Sequence, residues 1–125
     1  MIVATGVDLV EVPRIERMLA EQGERFLSRV FTPAEAEYCA TQASPATSLG
    51  ARFAAKEAVM KCLGTGLTDG VAFAQIEVVR TESGAVGVRM RGRAAELARS
   101  KGIARFHLSL SHTDQHAIAM ATAEA

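Results

Sequence analysis

The stretch RFAAKEAVMKCLGTG, Arg52–Gly66, combines a helical pattern with charges that a single solvent-facing stripe does not explain. On a helix turning about 100° per residue, Arg52 and Lys56 lie together, and Glu57 and Lys61 form a second polar edge. Arg52 and Lys56 carry like charges four residues apart, an arrangement that lowers the stability of a helix by roughly 0.2–0.5 kcal/mol. The pattern therefore predicts a helix with an anion against its charged side, and a metal ion as a further candidate.

Composition narrows the classes of protein to which the chain can belong. Its 125 residues are 49% hydrophobic, so we expect one domain, residues 1–125, with a substantial core. The 14 basic and 14 acidic residues balance, which argues against a nucleic-acid partner held by bulk charge. No apolar run is long enough to span a membrane, and the start lacks a basic leader, so no signal peptide is expected. Cys39 and Cys62 have no CxxC spacing, which suits reduced thiols in a cytoplasmic protein.

The first half of the chain predicts one strand followed by helices. Residues 2–9 form an apolar run typical of a buried strand, and Pro13 suits the first turn of the helix after it. Thr32 and Glu35 have the spacing of a capping box at the start of a second helix. The opening stretch forms a third helix, which we expect to end at Gly64 in the left-handed conformation.

The second half is mostly strands joined by turns. FHLSLSH alternates cleanly, so that Phe106, Leu108 and Leu110 face one way and His107, Ser109 and Ser111 the other. Helices first and hairpins afterwards predict an α+β fold, with an N-terminal strand and helices followed by an antiparallel sheet. The predicted elements are a strand at 72–80, a strand VGVRM, a short helix RGRAAELARSKG, the strand FHLSLSH and a closing strand HAIAMATA.

Two carboxylates, Asp8 and Glu57, are the first candidates for chemistry. Asp8 lies among apolar strand residues, where a carboxylate is costly unless it caps a helix, forms a salt bridge or binds a cation. Glu57 could simply pair with Lys61 four residues later. Two carboxylates together with water and phosphate oxygens would also suit Mg²⁺, which takes few protein ligands. The sequence leaves these readings open.

The turn Gly64–Gly66 and the histidines are candidates for binding phosphate. Glycines beside Lys61 either stop the helix or let backbone N–H groups approach a phosphate, although the Walker pattern is absent. His112 and His116 have the H-x-x-x-H spacing, but the flanking alternation indicates strand and turn, which disfavours zinc. His112 is either a locally bonded turn residue or a phosphate ligand beside Ser111.

Arginines recur along the N-terminal helical region, and two interpretations fit them. Acidic residues interspersed with them favour a plain solvated surface. The alternative is a docking face for a protein partner, on which apolar side chains act as anchors. The members of that face would be Arg14, Arg17, Met18, Arg25 and Phe26.

Four segments together resemble one family: GVDLVEVPRIE, FTPAEAEYC, RFAAKEAVMKCLGTG and LSLSHTDQHAIAMA. They look like the holo-[acyl-carrier-protein] synthases, the small bacterial group of 4′-phosphopantetheinyl transferases, over nearly the whole chain. The resemblance implies an enzyme of fatty acid biosynthesis that transfers 4′-phosphopantetheine from coenzyme A to a serine of apo acyl carrier protein. Adenosine 3′,5′-bisphosphate is the other product, and Mg²⁺ the cofactor.

The same resemblance implies a role for each candidate. Asp8 and Glu57 would hold the magnesium ion and Lys61 would contact the pyrophosphate, so that these three are the catalytic residues. Glu57, or a water that it orients, would be the general base. Arg52, Ser111 and His112 would surround the nucleotide phosphates, and the cofactor would lie beside Gly64, Thr65 and Gly66.

Two further expectations concern partners. The arginine-bearing helix corresponds to the carrier-protein docking face in this family, and the family is usually trimeric, with each site between neighbouring subunits. The segment 44–49 lacks the basic cluster that some relatives carry before the RFAAKE helix. A non-catalytic module that binds coenzyme A or a nucleotide is the alternative function.

Overall fold

The computed structural model describes every residue from Met1 to Ala125. Strands β1, β5 and β4 form one antiparallel sheet in that order, and β2 and β3 form a separate hairpin, so the predicted α+β arrangement is confirmed. No helix is both long and apolar enough to cross a bilayer. The elements are β1 (Ile2–Glu11), α1 (Val12–Gln22), α2 (Glu24–Val30), α3 (Pro33–Ala40), α4 (Pro45–Leu63), β2 (Ile76–Arg80), β3 (Val86–Met90), α5 (Gly92–Ser100), β4 (Arg105–His112) and β5 (His116–Glu124).

Helix α3 begins, and helix α4 ends, at the residues that local sequence signals predicted. Thr32 Oγ1 accepts from the Glu35 backbone N–H at 3.2 Å, and Glu35 Oε1 accepts from the Thr32 N–H at 2.8 Å, which completes the capping box. Gly23 has φ 53° and separates α1 from α2. Gly64 has φ 73° and ends α4 in the predicted left-handed conformation.

The strand predicted at 72–80 begins only at Ile76, which corrects its start. Phe73–Gln75 form a single 3₁₀ turn instead. The Gln75 side chain accepts from the Ala72 backbone N–H at 3.3 Å, and the Phe73 carbonyl accepts from Lys56 Nζ at 3.1 Å. These backbone groups are therefore taken up by the turn and by α4, and no neighbouring strand pairs with them.

Helix α4 is buried on nearly all sides, because 14 of its 19 residues are buried. It lies on the inner face of the three-stranded sheet, where β5 presents only small side chains. Small residues let the helix backbone approach the strands closely. The four inward residues of β5, each fully buried, are Ala117, Ala119, Ala121 and Ala123.

Gly6 of β1 makes the closest approach to α4. A Cβ added at Gly6 would overlap the carbonyl oxygen of Ala58 and press on the Lys61 side chain. We predict that Gly6→Ala lowers the free energy of unfolding by about 2–3 kcal/mol, because the strand must move away from the helix. Urea unfolding measures it, and Gly87→Ala on β3, where the nearest atom is 3.8 Å away, is the matched control. Equal loss in both variants would contradict this reading of the contact.

Lys56 is a core residue, which corrects the prediction that it lies with Arg52 against a bound anion. Its side chain is fully buried and Nζ lies 2.8 Å from Glu35 Oε1, while it also donates to the carbonyls of Phe73 and Ile76, at 3.1 and 2.6 Å. All three ammonium protons thus have partners. Burial lowers the pKa of Lys56, and the Glu35 charge opposes that shift. The pair ties α3, α4 and the start of β2 together.

The other face of the three-stranded sheet remains uncovered in a single chain. Val7, Leu9, Ile118 and Met120 point outward there and are 40–61% exposed. They come from the two adjacent strands β1 and β5, which are paired along their length. A contiguous apolar surface of this kind marks an interface more often than free surface. We call it the open sheet face.

Candidate active site

Lys61 of α4 reaches Asp8 of β1, and Glu57 lies one helical turn before Lys61 on the same side of α4. Asp8 lies on the same side of β1 as Gly6 and Val10, which face the helix. Lys61 Nζ lies 3.2 Å from Asp8 Oδ1 and donates to the Val7 carbonyl at 2.7 Å. Lys61 therefore turns toward β1, and the helical Glu57–Lys61 ion pair that the spacing allowed is not formed.

Glu57 is the most perturbed acid of this group. Burial raises the pKa of its carboxyl above the ordinary value, and the negative charge of Asp8 raises it further. Arg14 and Lys61 oppose the shift. Asp8 and Glu57 are therefore close enough to repel each other through a partly desolvated region, and a cation between them would relieve that repulsion.

The donor set suits magnesium better than zinc. No group of three or more His, Cys, Asp or Glu side chains gathers anywhere in the structure. Asp8 and Glu57 offer two hard carboxylates beside open space, which leaves positions for water and phosphate oxygens. Mg²⁺ is commonly bound through one or two carboxylates in this way, whereas structural zinc needs four nitrogen or sulfur ligands.

We predict that Glu57→Gln stabilises the metal-free protein at neutral pH. The folded-state pKa of Glu57 lies above its ordinary value of 4.5, so its stabilising contribution is complete below that value. The contribution is lost as the pH rises through the folded pKa. In EDTA, the Tm of Glu57→Gln should therefore rise above that of the wild type as the acidic range is left. Added Mg²⁺ should raise the Tm of the wild type and leave that of Glu57→Gln unchanged. Identical Tm profiles of the two proteins, with and without Mg²⁺, would contradict the assignment of Glu57 as a metal ligand.

A cavity of about 350 Å³ opens beside Glu57 and is lined mainly by apolar side chains. Gly66 lines the same cavity, so the turn after α4 lies on the side of the helix that carries Glu57. Arg14 enters from α1, with Cζ 5.6 Å from the centroid of the Phe53 ring. The arginine pattern in the sequence predicted only a docking face for Arg14, and no local signal indicated its position beside the same cavity as Glu57.

Arg52 and His112 line a different and larger cleft, of about 660 Å³. Arg52 is buried along most of its length, and Nη1 donates to the Ser48 hydroxyl at 3.1 Å. Its guanidinium lies over the Tyr38 ring, 4.7 Å from the centroid. Tyr38 of α3 and Arg80 of β2 also line this cleft, and no sequence pattern linked them to Arg52, because they lie on other elements.

Ser111, which the sequence grouped with His112 around the nucleotide phosphates, does not line that cleft. Side chains alternate along β4, and His112 shares the inner side with Leu110, which also lines the cleft. Ser111 pairs with Ile118 and points with it onto the open sheet face.

The residues predicted to form the docking face differ in their exposure. Arg14, Arg17 and Arg25 are exposed, and Met18 is half-buried. Phe26 is fully buried and packs edge-to-face against Phe31 with 5.6 Å between ring centroids, so its prediction as an exposed anchor is wrong. The physical reason is the break at Gly23, which turns α2 so that Phe26 enters the core.

Comparison with known proteins adds independent findings. A family model described as the 4′-phosphopantetheinyl transferase superfamily matches residues 4–121. The holo-[acyl-carrier-protein] synthase of Koribacter versatilis is 48% identical over 119 residues, which is 95% of each chain.

Solved structures agree with the sequence matches. The holo-[acyl-carrier-protein] synthase of Neisseria meningitidis is 33% identical, with a TM-score of 0.89 over 100% of both chains. The corresponding synthase of Bacillus anthracis, solved in complex with coenzyme A (3′,5′-ADP), is 31% identical, with a TM-score of 0.81 over 100% of this chain and 98% of that one.

Proposed function

The chain belongs to the 4′-phosphopantetheinyl transferase superfamily, and from that premise we infer the reaction that it catalyses. It transfers 4′-phosphopantetheine from coenzyme A to a serine of an apo acyl carrier protein and releases adenosine 3′,5′-bisphosphate. We assign this activity to residues 1–125 as one domain, because a single cluster of 26 buried residues joins α4 to both sheets. The observation that carries the proposal is the contact between Lys61 and Asp8, with Glu57 one helical turn before Lys61 on the same side of α4.

The three residues divide the work of phosphoryl transfer. Asp8 and Glu57 would hold a magnesium ion, which supplies positive charge for the diphosphate oxygens. Lys61 carries a second positive charge on the same side of β1, 3.2 Å from Asp8. Because phosphoryl transfer needs charge neutralisation and positioning more than covalent chemistry, these residues match the reaction.

Glu57 is our candidate for the base that takes the proton of the carrier serine. A carboxylate within reach of the serine hydroxyl can accept its proton as the new bond to phosphorus forms. The base would be Glu57 itself or a water that it orients. The Glu57 side chain lines an open cavity, so a serine on a partner could reach it.

The decisive experiment is mass spectrometry of a carrier. Incubating the protein with coenzyme A, Mg²⁺ and an apo acyl carrier protein should add one phosphopantetheine to the carrier serine. No mass gain over several carriers, with coenzyme A still raising the Tm, would identify the alternative function, a non-catalytic coenzyme A-binding module.

We further propose a homotrimer with each active site between two chains. Lys61 on one side, and Arg52 and His112 on the other, line different cavities of the same chain. A donor that contacts both groups therefore fits best across a boundary between copies. The open sheet face includes both neighbours of Asp8 on β1 and lies beside Ser111, so a second copy covering it would also meet the site.

Mixing two inactive variants tests this sharing of the site. Glu57→Ala and Arg52→Gln each disable one half, and co-expressing them in equal amounts should restore about a quarter of the wild-type sites if each site joins two chains around a ring. A mixture as inactive as its components would show that one chain supplies both halves. Glu57→Ala mixed with Asp8→Ala, which disable the same half, is the control and should stay inactive.

The remaining partners follow from the exposed surfaces. The carrier would dock on α1 and the start of α2, where Arg14, Arg17 and Arg25 are exposed beside Met18. Arginines suit the acidic surface of an acyl carrier protein.

We place the enzyme in the cytoplasm, because its two buried cysteines are free thiols.

A further inference from the structure

The cleft that contains Arg52 holds a second guanidinium with no role so far. Arg80, the last residue of β2, lies with Cζ 5.4 Å from the centroid of the Tyr38 ring, and Arg52 lies 4.7 Å from the same centroid. The two Cζ atoms are therefore at most about 10 Å apart. Two cations on one aromatic ring repel each other unless an anion joins them.

Neither guanidinium is neutralised within the chain. The ion pairs of the structure involve other residues, and Arg52 bonds only to the carbonyl and hydroxyl of Ser48. Glu16 and Asp114 also line the cleft but form no ion pair with either arginine. The segment 42–48 along the same wall contributes no cation. The end of the cleft at Tyr38 thus presents Arg52 and Arg80 as its positive charges.

The donor has two anionic groups that need such charges. Its diphosphate is assigned above to Asp8, Glu57 and Lys61, none of which lines this cleft. The group left over is the phosphate on the ribose 3′-oxygen. We propose that Arg80, held beside Arg52 by the Tyr38 ring, binds the 3′-phosphate of coenzyme A and makes the enzyme prefer this donor over its dephosphorylated form.

The two arginines play different parts in this site. Arg52 is buried and fixed by Ser48, so it forms the rigid wall. Arg80 is exposed and bonds to no other side chain or carbonyl, so it closes on the phosphate when the donor arrives. A planar guanidinium that can donate two parallel hydrogen bonds suits a phosphate dianion. The inference rests on the proposed function.

Donor discrimination tests the inference. The ratio of kcat/KM for coenzyme A to kcat/KM for dephospho-coenzyme A should fall about 10- to 100-fold in Arg80→Met. The value for dephospho-coenzyme A itself should barely change, and Arg80→Lys should recover part of the preference. The matched control is Arg89→Met on β3 of the same hairpin, an exposed arginine paired with Glu77, and it should keep the wild-type ratio.

A binding measurement separates this inference from the proposed function. By calorimetry, wild type should bind adenosine 3′,5′-bisphosphate more tightly than 5′-AMP, and Arg80→Met should lose that difference. An unchanged donor ratio in an Arg80→Met enzyme that still transfers phosphopantetheine would overturn the role of Arg80 alone. Equal loss with both donors would also overturn it, whereas a wild type without any transfer would overturn the proposed function instead.

Discussion

Glu57→Ala is expected to abolish phosphopantetheine transfer, with kcat/KM falling at least about 10²–10³-fold. The substitution removes a carboxylate that would hold the magnesium ion and also the candidate base. Because Glu57 is only half-buried and forms no ion pair in the structure, the fold should survive. The loss is measured as turnover across a magnesium titration. Circular dichroism checks that the variant is folded.

Asp8→Asn should lower kcat/KM for phosphopantetheine transfer by a similar factor, but through loss of a metal ligand alone. It keeps the shape of Asp8 but removes the negative charge, so a deficit that excess Mg²⁺ partly repairs would point to the metal. Glu37→Ala, which removes an exposed helical glutamate from α3, is the control and should leave turnover intact. Full turnover with normal magnesium dependence in both Glu57→Ala and Asp8→Asn would remove the metal assignment.

Lys56→Met should produce the largest loss of stability, about 3–5 kcal/mol in the free energy of unfolding. The change leaves the buried carboxylate of Glu35 without its cation and frees the carbonyls of Phe73 and Ile76. Glu35 retains bonds from two backbone N–H groups, of Thr32 and Val78, but these do not neutralise it. Equilibrium denaturation in urea measures the difference.

The control for Lys56 is an ion pair of the same charge type in which the cation is exposed. Arg89 and Glu77 are 3.5 Å apart with Arg89 largely exposed, so Arg89→Met should change stability by less than about 1 kcal/mol. The double variant Lys56→Met/Glu35→Leu should recover stability relative to Lys56→Met alone, because no buried charge remains. If that double variant is no more stable than Lys56→Met, the charge of Glu35 is not the source of the cost.

Local signals made much of the fold predictable from sequence. The capping box at Thr32 and the left-handed Gly64 depend on residues a few positions apart, and such short-range chemistry survives in any tertiary context. The strand start before Ile76 was wrong because the Phe73 carbonyl is taken by Lys56, 17 residues earlier in the chain. A periodic pattern carries no information about such a distant partner.

The members of the candidate site could be proposed from sequence in a similar way. A strand carboxylate and a helix carboxylate with a nearby lysine indicated Asp8, Glu57 and Lys61, although Lys61 bonds toward β1. The alternation along β4 already placed Ser111 opposite to Leu110 and hence to His112, so that signal was available. No local pattern pointed to Arg80, because only folding brings the β2 hairpin beside α3 and α4.

The near-complete burial of α4 limits how this enzyme can diversify. A helix with 14 of 19 residues in the interior offers few positions where a substitution is neutral, so the segment that carries Glu57 is the slowest to drift. New donor or carrier preferences must therefore arise on the peripheral parts, namely α1 and the β2–β3 hairpin. Libraries aimed at altered specificity should vary those surfaces and leave the central helix untouched.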